Sequence, residues 1–143
     1  MPMLAARSVE DVARDRWVQD LFSPIAKLYE TLAERVKARS RRIGRVVMTD
    51  LGDAPMEISA KFMSYALYPE AMYSVTLSRG KQHYKLAVGY NPWCGSPIRH
   101  NIATICKRYG GGGHPVVGAA TFKLPDEARA RAAAEEVARE LGE

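Results

Sequence analysis

The residues best suited to chemistry fall in one short run, Arg108-Tyr109-Gly110-Gly111-Gly112-Gly113-His114-Pro115-Val116-Val117-Gly118-Ala119-Ala120. A single glycine after a helix is explained by a C-cap, which often needs a left-handed backbone. Four in succession add unfolded-state entropy that folding must overcome, so the excess asks for another reason. Residues without Cβ let a ligand approach the main chain, and successive amides can converge on an anion. His114 adds a hydrogen-bond donor, or a charge when protonated. The pattern predicts a phosphate-binding turn between Arg108 and Ala120. Neither standard phosphate loop is present: Gly80-Lys81 is followed by Gln82, and there is no G-x-G-x-x-G. Because the glycines follow a helix rather than open one, the helix dipole opposes an anion there. Attraction has to come from the amides, His114 and cations such as Arg108.

Charge points the same way. The chain of 143 residues carries a net charge of +5, and Ala71 to Phe122 contains no Asp or Glu while holding Arg79, Lys81, Lys85, Arg99, Lys107 and Arg108. A second basic cluster, Arg39, Arg41, Arg42 and Arg45, precedes the first expected strand. Such a distribution makes a positive potential that attracts and steers phosphates.

Other chemistries have weaker support. Cys94 sits in a Gly/Pro-rich loop with no assigned base, and Cys106 falls on the inner face of a short helix as a small core residue. Cys94, His100, Cys106 and His114 are too widely spaced for the close ligand pairs of structural zinc modules. No metal site and no catalytic residue is expected in this chain. Two cysteines make no disulfide framework, and the N-terminus lacks an apolar signal core, so the expected location is the cytoplasm with reduced thiols. No apolar run approaches the roughly 20 residues of a membrane span.

The elements that must position the motif can be read from spacing. Ser8 reads as an N-cap with Asp11 in the first turn. Ser23-Pro24 reads as a second helix start, and Leu21, Ile25, Leu28, Leu32 and Val36 form one apolar stripe. That stripe covers the core or packs against a partner, a second copy included. Arg45 to Met48 reads as a strand with Leu51 to Pro55 as its turn, and 57–67 as an amphipathic helix with Ile58, Phe62 and Tyr65 or Ala66 inward. Met72–Leu77 and Tyr84–Val88 form a hairpin about the turn at Arg79–Gln82. A short helix from about Asn101 to Tyr109 leads into the glycines, Val116 to Phe122 is a buried strand, and Asp126 to Leu141 is a helix capped by Asp126. The expected fold is α/β or α+β, a mixed sheet of about four to five strands flanked by helices. A helical extension over 1–41 precedes a binding domain over 42–143.

The run Ile102 to His114 closely resembles the motif of the DHH-associated domain, the C-terminal domain of the DHH phosphoesterase superfamily, whose pattern is a short apolar helix followed by G-G-G-H-x-x-A-A-G. The resemblance covers roughly Arg42 to Glu143. It implies a mixed sheet flanked by helices, with Gly111, Gly112, Gly113 and His114 touching a substrate phosphate or terminal nucleotide. Arg99, Arg108, Asn91 and Tyr90 are further candidates. There are departures. Val117-Gly118-Ala119 stands where the family has A-A-G. Gly89-Tyr90-Asn91-Pro92-Trp93 stands where many members have Arg-Ser, which resembles the branch labelled exopolyphosphatase-like. Arg99 is placed to supply that missing cation. Tyr90 and Trp93 are placed either to stack on a base, for about 1–3 kcal/mol per base, or to pack as a lid over the core.

In that superfamily the chemistry resides in an N-terminal domain that binds two metal ions through an Asp-His-His motif. This chain has no Asp-His-His, and its histidines are His83, His100 and His114. Two-metal hydrolysis needs several carboxylates and imidazoles converging within a few ångströms. The resemblance therefore implies substrate recognition of a nucleic acid, nucleotide or polyphosphate. A divalent metal, Mn or Mg, would belong to a separate DHH catalytic domain as partner.

Overall fold

The computed structural model describes residues 6–56 and 62–143. It divides into two compact units, 1–34 and 35–143.

The first unit is helical. Helix α1 (Val9–Ala13) opens as expected, with the Ser8 hydroxyl accepting from the Asp11 amide and the Ser8 backbone extended. Helix α2 (Arg16–Arg39) is where the reading changes. Ser23-Pro24 does not start a helix but lies inside one of 24 residues. Proline forfeits one main-chain hydrogen bond, yet helix-forming residues on both sides carry the helix through. Trp17, Leu21, Phe22, Ile25, Leu28 and Tyr29 are all exposed on it.

The second unit is built on a six-stranded mixed sheet, one or two strands more than expected. In chain order its strands are β1 (Ser40–Ile43), β2 (Val46–Pro55), β3 (Tyr73–Arg79), β4 (His83–Tyr90), β5 (Gly112–His114) and β6 (Val117–Lys123). In space they run β1-β2-β3-β4-β6-β5, with β2 and β3 parallel and every other neighbouring pair antiparallel. Helices α3 (Met63–Leu67), α4 (Ile102–Lys107) and α5 (Glu127–Gly142) complete the unit. The expected turn at Leu51 to Pro55 is instead the second half of β2. A bulge between Leu51 and Pro55 absorbs the Gly-Asp-Ala-Pro segment while pairing with β3 resumes at Arg79. Of the amphipathic helix expected over 57–67, 57–61 lie outside the described residues. Within the rest Tyr65 is buried, whereas Phe62 and Ala66 are exposed.

Strand alternation sorts the sheet into two faces. Val46, Met48, Tyr73, Val75, Leu77, Tyr84, Leu86, Val88, Ala120 and Phe122 share one face and form the core with Ile102, Ile105 and Cys106 of α4 and Ala130, Ala134, Val137 and Leu141 of α5. The apolar stripe of α5 is mostly alanine, so this helix lies close to the strands. The other face carries Ser74, Thr76 and Ser78 from β3, Lys85, Ala87 and Gly89 from β4, and Val117, Ala119 and Thr121 from β6, by register.

Candidate functional site

Helix α4 starts on Asn101, whose side-chain oxygen accepts from the Thr104 amide at 3.2 Å. It ends on Gly110, whose φ of +75° is left-handed. The Gly110 amide donates to Lys107 O at 3.1 Å and the Gly111 amide to Cys106 O at 3.0 Å. This is a Schellman motif, and it occupies the first two amides of the run.

The last two glycines are not a turn. Gly112–His114 is edge strand β5, in register with Ala119, Gly118 and Val117. Most of the run has a structural reason. A Cβ on Gly111 would stand 2.0 Å from Ala119 O, and one on Gly113 2.2 Å from Val117 O. Gly112 differs, since a Cβ there would meet nothing within 4 Å. The backbone thus requires glycine at 110 by its left-handed φ and at 111 and 113 by close contact, and Gly112 alone of the four faces open space with no such requirement. Gly118, the shifted glycine of the motif, has its own reason: a Cβ would meet Cys106 Sγ at 2.8 Å, where α4 packs on β6.

Register then decides which face the motif serves. His114 pairs with Val117 and Gly112 with Ala119, so both belong to the face opposite α4 and α5. That face holds a cavity of about 900 Å³, whose lining includes Ser74, Thr76, Ala87, Gly89, Val117 and Ala119 as a floor of small residues. At one end stand Phe62, Tyr65 and Tyr90, at the other His83 and Lys85. Among the described residues, no Asp or Glu lines it. The volume suits a nucleotide-sized ligand. Tyr65 is held against the floor by the Ser74 hydroxyl, which donates to it at 2.8 Å, and burial raises its phenol pKa. The missing side chain of Gly89 makes this possible, since a Cβ there would lie 2.5 Å from the Tyr65 oxygen. Trp93 packs edge-on against Phe62 at 5.8 Å and Tyr65 at 6.3 Å, and is 68% exposed.

The remaining candidates are distributed unevenly. His114 is exposed at the sheet edge. Arg99 is also exposed, and its amide donates to the Tyr73 hydroxyl at 3.0 Å. Arg108 is ion-paired with Glu140 of α5 and lies over the Tyr109 ring at 5.8 Å, on the helix-bearing face. Asn91 is fully buried. It donates to Pro69 O and Ala71 O and accepts from the Trp93 amide, tying together the segments before β3 and after β4. The Tyr90 hydroxyl donates to Ser96 O and its ring packs near Tyr73 at 6.0 Å, which restricts its freedom to stack elsewhere.

The second basic cluster is largely neutralised. Arg39 pairs with Asp53 at 2.7 Å, Arg41 with Glu135, Arg42 with Glu70 at 2.9 Å, and Arg45 donates to the Ser96 hydroxyl at 2.8 Å. Its acids come from far along the chain, so sequence proximity overstated its free charge. The cationic groups that sequence reading missed as a set are His83, Lys85 and Lys123, which register puts on the cavity face. Cys106 is buried, and that burial pushes its thiol pKa up, as a core residue requires. Among the described residues no three His, Cys, Asp or Glu side chains come together to hold a metal ion, and no helix is long and apolar enough to cross a membrane.

No family model and no curated protein matches this sequence. Solved structures do. The pGpG-specific phosphodiesterase PggH from Vibrio cholerae matches over 97% of this chain, with a TM-score of 0.80 and 23% identity. The DHH domain of a member of a family of ribosomal proteins matches over 88%, with a TM-score of 0.56 and 14% identity. The chain spans about half of the first protein (48%) and about a third of the second (34%). Its fold is therefore one that these phosphodiesterase and DHH-domain structures share, and it fits the DHH-associated domain that the glycine motif resembles.

Proposed function

We propose that this chain is the substrate-binding domain of a DHH-type phosphoesterase. In this reading it recognises a phosphate of a nucleotide or nucleic acid, and metal-dependent hydrolysis is supplied by a DHH domain outside it. The observation that carries this is one of register. The edge strand β5 brings His114 and the unobstructed Gly112 onto the same face as a nucleotide-sized cavity that no described Asp or Glu lines. His114 supplies a donor to the phosphate, and Gly112 allows close approach to the main chain. Arg99 contributes longer-range attraction, while Arg108, Asn91 and Tyr90 hold the surrounding elements. Mn or Mg would be bound by the partner domain, where carboxylates and imidazoles can converge.

Titration of a 5′-phosphorylated oligonucleotide tests this. Affinity should fall steeply with salt, because neutralised phosphates release counterions. The His114→Ala variant should bind about 3- to 10-fold more weakly, the loss of one charge-assisted hydrogen bond. Equal affinities would remove His114 from the site. Hydrolysis of the ligand by the purified chain with Mn²⁺ would refute the division of labour.

A second role is compatible with the first and favoured by the exposed stripe on α2. Trp17, Leu21, Phe22, Ile25 and Leu28 form an apolar surface of the kind that receives another helix, from a catalytic domain or a second copy. Sedimentation of the chain alone against a Leu21→Glu/Ile25→Glu variant distinguishes self-association from a surface reserved for another partner.

A further inference from the structure

One end of the cavity face carries positive charge that no acidic side chain among the described residues pairs with. Lys123 lies directly across from His83, and Lys85 is its diagonal neighbour on the same face. Lys85 and Lys123 are like charges at a diagonal, within reach of each other's long side chains. Lys85 and Lys123 are exposed and make no ion pair among the described residues, unlike the arginines of the basic cluster, each of which has found a partner. Arg79 also lines this end, and its Nε is buried without a hydrogen-bond partner. Its charge acts on Tyr84 and Glu127 on the opposite face, so it is not counted in the cluster.

Resting on the reading above that the β5 edge binds a phosphate, we propose that His83, Lys85 and Lys123 form a second anion subsite. It makes the face selective for an oligonucleotide over a mononucleotide. The spacing follows from the ladder. His114 is level with Val117 and Gly89, and Lys85 stands four residues along β4 from Gly89, about 13 Å at the rise of an antiparallel strand; β6 lies between β5 and β4, which adds about 10 Å across the sheet and makes the separation roughly 16 Å. That gap spans about two to three internucleotide steps of an extended single strand, so a single nucleotide reaches one subsite and a chain of three or four nucleotides reaches both. Between the two ends the floor is neutral and small, with Thr76, Ala87 and Ala119. Such a floor suits the sugars and bases of an oligonucleotide. A polyphosphate, with charge on every unit, would set anions over uncharged surface. The exposed ring of Phe62 stands at the same end as His114 and offers an aromatic edge to a terminal base.

The experiment compares a 5′-mononucleotide, a 5′-phosphorylated tetranucleotide and a tetraphosphate on the full chain, each titrated across a salt series. For wild type the tetranucleotide should bind more tightly than the other two and give the steeper salt slope. The Lys85→Gln/Lys123→Gln variant should lose about 10-fold in tetranucleotide affinity and about 1.4 units of that slope, at roughly 0.7 per single-strand phosphate contact. Its mononucleotide affinity should be unchanged, and its Tm should hold or rise as the repulsion is relieved. Lys107→Gln, on helix α4 of the other face, removes one charge and should leave the tetranucleotide-to-mononucleotide ratio unaltered. Parallel loss for both ligands would reduce the effect to general electrostatics and overturn the subsite. So would tighter binding of the tetraphosphate, or an unchanged tetranucleotide affinity. Loss of every ligand in His114→Ala alongside normal length selectivity in wild type supports both readings. Binding that ignores His114 but still requires Lys85 and Lys123 overturns the edge site while retaining the second.

Discussion

Gly111 and Gly112 are neighbours with the same side chain and opposite reasons for it. In Gly111→Ala the new methyl would sit 2.0 Å from Ala119 O, 2.7 Å from Ala120 Cα and 2.8 Å from Ala119 C. All three are backbone atoms of a central part of β6, so no rotamer change relieves the clash. Overpacking a core costs typically 1–3 kcal/mol, and a clash with backbone belongs at the upper end, about 3 kcal/mol. For a chain of this size that lowers Tm by roughly 10 °C. In Gly112→Ala the methyl meets nothing within 4 Å, and the backbone is not left-handed. Reduced freedom of the unfolded chain should then raise stability slightly, by about 0.4–1 kcal/mol. That same methyl projects from the cavity face, where it should lower affinity for a phosphorylated ligand. Thermal unfolding followed by circular dichroism, paired with ligand titration below both transitions, separates the two effects. The reasoning fails if Gly111→Ala melts with wild type, or if Gly112→Ala binds as wild type does.

Four further outcomes are expected. The Tyr109 phenol is pushed up to about 12, by burial first and then by the nearby Glu136 carboxylate. A folded pKa above the unfolded value near 10 means its contribution is complete below pH 10 and lost as pH rises through 12; absorbance titration of Tyr109→Phe should lose the tyrosine that titrates near 12. Asn91→Ala leaves the buried Ala71 carbonyl and the partly buried Pro69 carbonyl and Trp93 amide without this partner, so it should cost about 2–3 kcal/mol in denaturant unfolding, while the folded fraction binds phosphate ligands normally. Gly89→Ala should displace the Tyr65 hydroxyl and break its bond to Ser74, and the loss should shrink when Tyr65→Phe is combined with it, as a double-mutant cycle reads. A thiol reagent should modify Cys94 quickly and Cys106 only on unfolding, since Cys106 is inaccessible in the core.

Where sequence patterns were strong, they were enough. The β3–β4 hairpin and helix α4 with Asn101 at its start follow from local periodicity and punctuation; the alanine-rich α5 follows from periodicity, but the Asp126 expected to cap it makes no side-chain cap hydrogen bond. Strands β1 and β5 were not legible for different physical reasons. Arg41 and Arg42 make β1 look like surface, and they are tolerated because β1 is an edge strand whose charges pair with Glu135 and Glu70. Strand β5 is two glycines and a histidine, with no alternation to detect, and its pairing is dictated by β6. The Gly-Asp-Ala-Pro segment carried genuine turn signals that parallel pairing with β3 overrode. Of the candidate site, the residue types at 110–114 were visible early. That three of those glycines serve the fold, and that His114 shares a face with His83 and Lys85, depends on register, which no single segment encodes.

The two faces of the sheet also separate two kinds of selection. The large core cluster of the second unit lies on the face covered by α4 and α5, where each side chain is constrained by its neighbours, while Val36, Val47 and Leu51 are buried outside it. The cavity face is floored by short side chains that contribute little to that core, so exchanges at Thr76, Ala87 or Ala119 alter the surface met by a ligand at small thermodynamic cost. A lineage built on this scaffold can drift from one phosphorylated ligand to another by changing its floor while its foundation stays fixed.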